Sequence, residues 1–333
     1  MFQSLEGTWA AARRTLAGVR LLCICGVVLG GGCAAESNTP QPPRTLRFAT
    51  GVPGAGFNPL GAALGRAYRA IGASVQLETQ ESPGSVSNLL ALQDGSSDVG
   101  LAFADVAYLA NAGQLPDAGE RPDRLRGIAV LQLTPLQVVV RPGAAIERIE
   151  ELKGRRVAIG PPGSGTQLTA TLVLQTLGVG PADIKGEPLL FNEAARRLVE
   201  GRVDAMFVNG SYPAESVRLA LRAGSRLLPV SPAEADRLRM VYPFFRPMIV
   251  PGGTYPGHPG SVHTIGIDTL LVCRSDLDPE SVYRFTRTLF EVLPTLVAEH
   301  PTLKNIDLEQ VAATPVALHA GAARYYRERE INR

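Results

Sequence analysis

The sequence predicts an α/β protein of two similar lobes joined by two crossover strands, with a ligand cleft between them. Three observations predict it. The segments RFATGVPGAG (47–56) and RVAIGPPGSG (156–165) align without a gap as R-x-A-x-G-x-P-G-x-G. Farther along, LQDGSSDVGLAF (92–103) and LVEGRVDAMFVN (198–209) share L-x-x-G-x-x-D in the same order and at a nearly equal offset. Short apolar runs alternate with segments of helical periodicity, as in largely parallel sheets covered by helices.

Taken in order, Leu46–Thr50 reads as a strand, and Pro59–Ile71 as a helix with Leu60, Leu64 and Tyr68 on one face. Ser74–Thr79 is a second strand, and Ser82–Leu92 a helix whose end Gly95 marks. Val99–Phe103 is continuously apolar, which suits a strand buried on both faces. The second copy repeats the order: strand Arg156–Ile159, helix Gln167–Leu177, strand Pro188–Phe191, helix Glu193–Val199, strand Ala205–Val208. Residues 129–141 and 241–250 are β-rich and read as the two crossovers. A strand Thr264–Cys273 then returns to the first lobe, and helices follow over Pro279–Leu296 and from Leu308 to Arg329. The expected division is 46–134 with 250–333 as the first lobe, and 135–249 as the second.

The loops between these elements suggest what the cleft holds. Gly160 to Gln167 lies between a strand and a helix start, where free backbone N–H groups and the helix dipole favour an anion. A phosphate-binding P-loop needs Lys where Thr166 stands, so a carboxylate is the better guest, with Ser164 and Thr166 adding hydroxyl donors around Gly165. The matching turn of the first lobe carries Gly54, Gly56, Phe57 and Asn58. Ligands of open α/β sheets sit at the carboxyl ends of strands. That rule adds Asp105 after the strand 99–103 and Asn209 after the strand 205–208. Asp105 can accept an amino group, orient a neighbour or cap a helix. Gly84, Ser85 and Asn88 open another helix, and Tyr212 and Tyr255 are loop aromatics able to close the cleft. Asp98 and Asp204 read as turn formers.

Catalysis finds no support. The four histidines, at 258, 263, 300 and 319, form no zinc motif, and no G-x-S-x-G elbow is present. Cys273, inside an apolar strand, reads as an inert core thiol, and His319 as a capping or core residue. No metal or cofactor is expected.

The amino-terminal stretch reads as an address. Arg13, Arg14 and Arg20 precede the apolar run Leu21–Leu29, then three glycines and Cys33. The run falls short of the ~20 apolar residues of a membrane span. Small residues ahead of Cys33 resemble a lipobox, although Gly30 stands where Leu is usual. Residues 1–32 are thus expected to be a signal peptide with Cys33 as the lipidated mature N-terminus, and 33–45 a Pro-rich tether. A plain cleaved signal or an uncleaved anchor remain alternatives, and all three export the chain. Of the four cysteines only Cys273 then lies in the folded part, so no internal disulfide is available. Without residues 1–32 there are 30 basic and 30 acidic residues, a balance that offers no basic surface to nucleic acid.

Two lobes, two crossovers and a cleft form the periplasmic binding-protein plan. The sequence resembles the TAXI family of solute receptors for TRAP transporters over nearly the whole mature chain. The matching stretches are SPGSVSNLLALQDGSSDVGLAFADVAY (82–108), LKGRRVAIGPPGSGTQLTA (152–170), GRVDAMFV (201–208), VPGGTYPG (250–257) and HAGAARYY (319–326). The resemblance implies a type II periplasmic binding-protein fold and delivery of an organic anion, such as glutamate or a related dicarboxylate, to a sodium-driven permease. It gives a ligand role to Gly84, Ser85, Asn88, Ser164, Gly165 and Thr166. At Phe57-Asn58 the sequence departs from the aromatic or hydroxyl-bearing pairs of similar proteins, which leaves the substrate within the class open. The expected function is a non-catalytic, lipid-tethered receptor. A sensory lipoprotein of the same fold, or a receptor of an ATP-driven importer, are the alternatives.

Overall fold

Two long strands organise the sheet. The structure, a computed structural model, describes residues 43–53, 56–115, 124–299, 303–304, 306 and 309–331. The expected signal, Cys33, the tether up to residue 42 and Gly54 lie outside the described residues. The first half comprises β1 (Arg44–Ala49), α1 (Phe57–Ala70), β2 (Val75–Gln80), α2 (Ser85–Asp94), β3 (Val99–Phe103) and α3 (Ala104–Asn111). The long β4 (Leu125–Val140) leads into the second half: β5 (Arg156–Ala158), α4 (Gly165–Thr176), β6 (Lys185–Glu187), α5 (Phe191–Val199), β7 (Ala205–Asn209) and α6 (Glu215–Arg222). Then come β8 (Arg226–Leu228), α7 (Pro232–Val241), β9 (Arg246–Val250), the long β10 (Val262–Arg274), α8 (Pro279–Glu299) and α9 (Ala320–Ile331).

The strand order is β2-β1-β3-β10-β4-β7-β5-β6. In the first lobe β1 runs parallel to β2 and β3, and β10 runs antiparallel to β3. In the second, β5 runs parallel to β6 and β7, and β4 runs antiparallel to β7. The two halves are therefore the same motif twice, each closed by one long antiparallel strand. β4 changes partners along its length: up to Pro135 it pairs with β10, and from Leu136 onward with β7. All five residues of β3 and of β7 are buried, the outcome expected of strands covered on both faces.

The repeat has a physical basis that its spacing alone does not disclose. The Arg that opens each first motif grips the Asp that closes each second motif. In the first lobe Arg47 donates through its backbone N and Nε to Asp98 Oδ2 (2.9 and 3.0 Å), and through Nη2 to Asp98 Oδ1 (2.8 Å) and Gly95 O (2.7 Å). In the second, Arg156 repeats every bond: N and Nε to Asp204 Oδ2 (both 3.0 Å), Nη2 to Asp204 Oδ1 (2.9 Å) and Gly201 O (2.8 Å). The long strand adds a second Arg in each case, Arg274 on Asp98 and Arg141 on Asp204. The aspartates hold more than turns, since each pins β1 or β5 to its neighbour through a bidentate pair.

Four elements depart from the sequence reading. β6 ends at Glu187 because Pro188 has no N–H for the ladder, and Phe191 opens α5 instead of closing a strand. The return between lobes is made by β10; residues 241–250 are the end of α7, a turn and the edge strand β9, which pairs only with β10. The last helix starts at Ala320, not Leu308, because Pro315 biases Thr314 away from helix and His319 Nδ1 accepts the Gly321 N–H (3.2 Å). α3, for which the sequence reading offers only Asp105 as a possible helix cap, is a helix of eight residues. Cys273 is fully buried in β10, and burial pushes its thiol up. No helix among the described residues is long and apolar enough to cross a membrane.

The clamps predict acid sensitivity. Arg156 hydrogen bonds hold the Asp204 carboxyl well below the usual carboxylate range. Burial raises Asp98, but bonds from Arg47 outweigh it and lower that carboxyl too. Both stabilise the folded state above the unfolded carboxylate pKa of ~3.9, and that contribution is lost as pH falls below it. Asp98→Ala and Asp204→Ala should each destabilise by about 2 kcal/mol, less than a wholly buried pair because the guanidinium groups are over a third exposed. Urea unfolding at pH 7 and pH 3 measures both effects: each deficit should shrink at pH 3, with most of that of Asp204→Ala remaining because the folded carboxyl is still ionised there.

Candidate functional site

Three helices begin at one place. A small pocket lies at the carboxyl ends of β1, β3, β5 and β7, lined from both lobes. From the first lobe come Gly51, Gly56, Phe57, Pro83, Gly84, Ser85 and Phe103; from the second Ser164, Gly165, Thr166, Phe191, Asn209, Gly210 and Ser211. Gln132, Thr134 and Thr269, on the long strands, form the floor. None of the described residues lining it has an ionisable side chain.

α1, α2 and α4 all start on this pocket, and first-turn N–H groups have no acceptor within their own helix. At α4, Ser164 Oγ accepts from Gln167 N (3.1 Å), which leaves the N–H groups of Gly165 and Thr166 for another partner. The starts of α2 and α4 meet across the lobes. A Cβ on Gly165 would stand 2.7 Å from Ser85 Oγ and 2.5 Å from Phe103, and one on Gly84 would stand 3.4 Å from Ser164 Cα. Gly84 also has φ of +135°, which an L side chain rarely adopts. Both glycines are thus required for the approach.

Three buried hydroxyls surround this junction. Ser85 Oγ accepts from Phe103 N (3.0 Å), Ser164 Oγ from Gln167 N, and Thr166 Oγ1 from Asn209 N (3.2 Å). Each serves as an acceptor for backbone, so each keeps its own proton to donate. The pocket is rich in donors without being cationic.

The remaining sequence candidates lie elsewhere. Gly56, Phe57, Gly84, Ser85, Ser164, Gly165, Thr166 and Asn209 come together on the pocket wall. Asn88 does not: its Nδ2 donates to Thr50 O (2.8 Å) and Leu101 O (2.7 Å), and its Oδ1 accepts from Ser82, so it ties α2 to β1 and β3. Asn58 Nδ2 closes the turn on Gly51 O (3.0 Å). Tyr255 is buried in the second lobe, where its hydroxyl bonds Gln137 and accepts from Ala214 N; burial pushes it up to about 12. Tyr212 faces a separate hollow beside the Arg246–Asp268 pair. Asn88, Asn58 and Tyr255 have their polar atoms engaged within the protein, and Tyr212 lies outside the two-lobe pocket.

Asp105 takes the neighbour-orienting part. It is wholly buried behind the pocket in α3, where Oδ1 accepts from Val106 N (2.7 Å) and Oδ2 from Thr169 Oγ1 of α4 (2.5 Å), a bond across the lobes. Burial raises this carboxyl to about 6, against the pull of the Thr169 and Val106 bonds. Further ties cross nearby: Ser87 N donates to Gly163 O (3.1 Å), and Gln132 Nε2 to Ser211 Oγ (2.7 Å).

Sequence reasoning missed Gln132, Thr134 and Thr269. The available signal was polar residues placed within otherwise apolar strands, LQLTPLQVVV and IDTLLV. Phe103 and Ser211 sit at strand ends where the rule already applied, and Phe191 was assigned to a strand.

A proton bound by Asp105 favours the folded protein. Its carboxyl, raised from the unfolded value, makes stability fall as pH rises from ~4 through about 6, with no further change above. Asp105→Asn, which mimics the neutral form, should lack this slope. Unfolding free energies between pH 4 and 8 should therefore show wild type losing ground to the variant across that window only.

The sequence model of the NMT1-like family matches residues 48–329 of the chain. Among solved structures, MatC from Rhodopseudomonas palustris with bound malate is similar over 87% of this chain and 99% of that one, with TM-score 0.58 and 19% identity. The periplasmic binding protein BugD is similar over 86% and 96%, with TM-score 0.56 and 14% identity. A protein from Bordetella bronchiseptica RB50 is similar over 86% and 98%, with TM-score 0.52 and 14% identity. The architecture, an α/β fold on a mixed sheet, is that of periplasmic binding proteins.

Proposed function

The chain belongs to the NMT1-like family, and from that premise we propose that it is an extracytoplasmic solute-binding receptor that captures a small carboxylate by lobe closure and delivers it to a sodium-driven TRAP-type permease. The observation that carries this reading is the donor set. Ser85, Ser164 and Thr166 each offer an unmatched hydroxyl proton beside the free first-turn N–H groups of α2 and α4, in a pocket with no counter-charge of its own. Such a set complements a singly placed carboxylate, with each charge-assisted bond contributing on the order of 1.5–3 kcal/mol. Phe57, Phe103 and Phe191 supply apolar walls for the carbon chain.

Donors from both lobes converge on one guest, so binding favours the closed arrangement over an open one; a guest touching one lobe has no such leverage. The ring of polar floor residues and aromatic walls suits a small acid, and MatC, which shares the fold, holds malate. The TAXI resemblance supports the TRAP permease as the partner. In this reading the chain is exported, Cys33 carries the membrane anchor, and the site performs no chemistry.

A thermal-shift panel of amino acids, dicarboxylates and monocarboxylates tests the reading. A ligand at 100 times its Kd should stabilise by ~2.7 kcal/mol, a rise in Tm of roughly 5 °C. Gly165→Ala places a methyl against Phe103 and Ser85 and should weaken the best acid about 10- to 100-fold, the equivalent of ~1–3 kcal/mol of overpacking. Unchanged affinity by calorimetry would remove the two-lobe site.

A further inference from the structure

We propose that Asn209 determines which carboxylate is bound: its side-chain carbonyl accepts a hydrogen bond from a hydroxyl group of the ligand, so that the preferred guest is a hydroxycarboxylate. This rests on the carboxylate-receptor reading above and deepens it.

Asn209 ends β7 on the pocket wall and is 5% exposed. Its backbone N–H goes to Thr166 Oγ1, and its Nδ2 donates to Thr169 Oγ1 (3.3 Å). Its Oδ1 is buried with no hydrogen-bond partner. Buried side-chain oxygens in folded proteins almost always have a donor, and one without is destabilising until a donor arrives.

The orientation of the amide is fixed by its neighbours. Thr169 has a single hydroxyl proton, and it lies 2.5 Å from Asp105 Oδ2 and 2.9 Å from Gly165 O, both acceptors. Whichever takes that proton, Thr169 can only accept from Asn209. The amide therefore turns its nitrogen toward Thr169 and its oxygen away from it, in a residue that lines the pocket. Among side chains otherwise set to donate, Asn209 Oδ1 is an acceptor waiting for a donor.

The donor is better a neutral hydroxyl than an ammonium. No described lining residue is a carboxylate, and Asp105 has both oxygens engaged by Thr169 and Val106. An ammonium group would enter a buried site without a counter-ion and would leave N–H groups unmatched. A hydroxyl brings one proton to one acceptor.

Calorimetry on the purified protein with two matched sets tests the assignment: lactate, propionate and alanine, then malate, succinate and aspartate. In the better-bound set the hydroxy acid should bind most tightly, with the unsubstituted acid about tenfold or more weaker and the amino acid weaker still. Asn209→Leu, branched alike but without an acceptor, should bring the hydroxy and unsubstituted acids within about twofold of each other. Thr169→Val, which frees the amide to turn over, should reduce the ratio while both acids still bind. Equal binding of hydroxy and unsubstituted acids by wild type, or preference for the amino acid, would overturn the assignment while leaving the carboxylate receptor intact, and needs no variant to fold. Failure of all six acids to bind would overturn both readings.

Discussion

The positive ends of two helices meet across the pocket, and the rest of the molecule is arranged to hold them there. A helix N-terminus carries the equivalent of roughly +0.5 charge, and α2 and α4 bring theirs together at Ser85 and Gly165 with no carboxylate between them. Two like ends in a buried junction repel unless an anion joins them. The junction is therefore incomplete in a particular way: it has donors and positive potential, and only a guest can supply the charge. That deficit is what links binding to the closeness of the lobes.

Such an arrangement must be held against its own repulsion, and the clamps at the opposite ends of the strands provide the rigidity. Arg47–Asp98 and Arg156–Asp204 sit at the amino ends of β3, β5 and β7, where full charges are paired within each lobe. The carboxyl ends, facing the cleft, have neutral donors. Charge is thus kept at one edge and dipoles at the other. An internal Arg or Lys in the pocket would bind anions more strongly, but it would also hold the empty site in a charged, solvated state that resists closure. Backbone N–H groups and hydroxyls carry no such desolvation burden.

How much of this was legible in the sequence differs by layer. The duplicated α/β plan was legible because the repeat preserves Arg, Gly and Asp at fixed spacing, although only the structure shows that those residues grip one another. The glycine and hydroxyl residues of the 160–167 and 84–85 turns were legible because strand-to-helix turns impose their own chemistry. Asn88 and Tyr255 resembled ligand residues for the same reason they are good scaffold: a polar group near a strand end satisfies backbone as readily as it satisfies a guest. The floor residues Gln132, Thr134 and Thr269 were missed because a polar side chain in a crossing strand faces either lobe depending on register, which local sequence does not set. Pro188 was read as part of an apolar run when its missing N–H was the stronger signal.

The buried network behind the pocket joins these layers. Asp105 in one lobe orients Thr169 in the other, Thr169 orients Asn209, and Asn209 holds Thr166 through its backbone N–H. A carboxyl raised to about 6 by burial is costly to keep in a fold unless its position does something, and here it joins Gly165 O as an acceptor for the Thr169 hydroxyl and ties the lobes together. Thr166 and Asn209 both belong to the second lobe, so a donor and an acceptor stand side by side there through bonds made within that lobe. Separation of the lobes would break the Asp105–Thr169 bond, yet the Thr169 proton would still have Gly165 O within its own helix, so the amide keeps its direction. In the proposed receptor the acceptor is thus set in advance by one lobe, and closure adds the first lobe's Ser85 donor to a recognition pattern already in place.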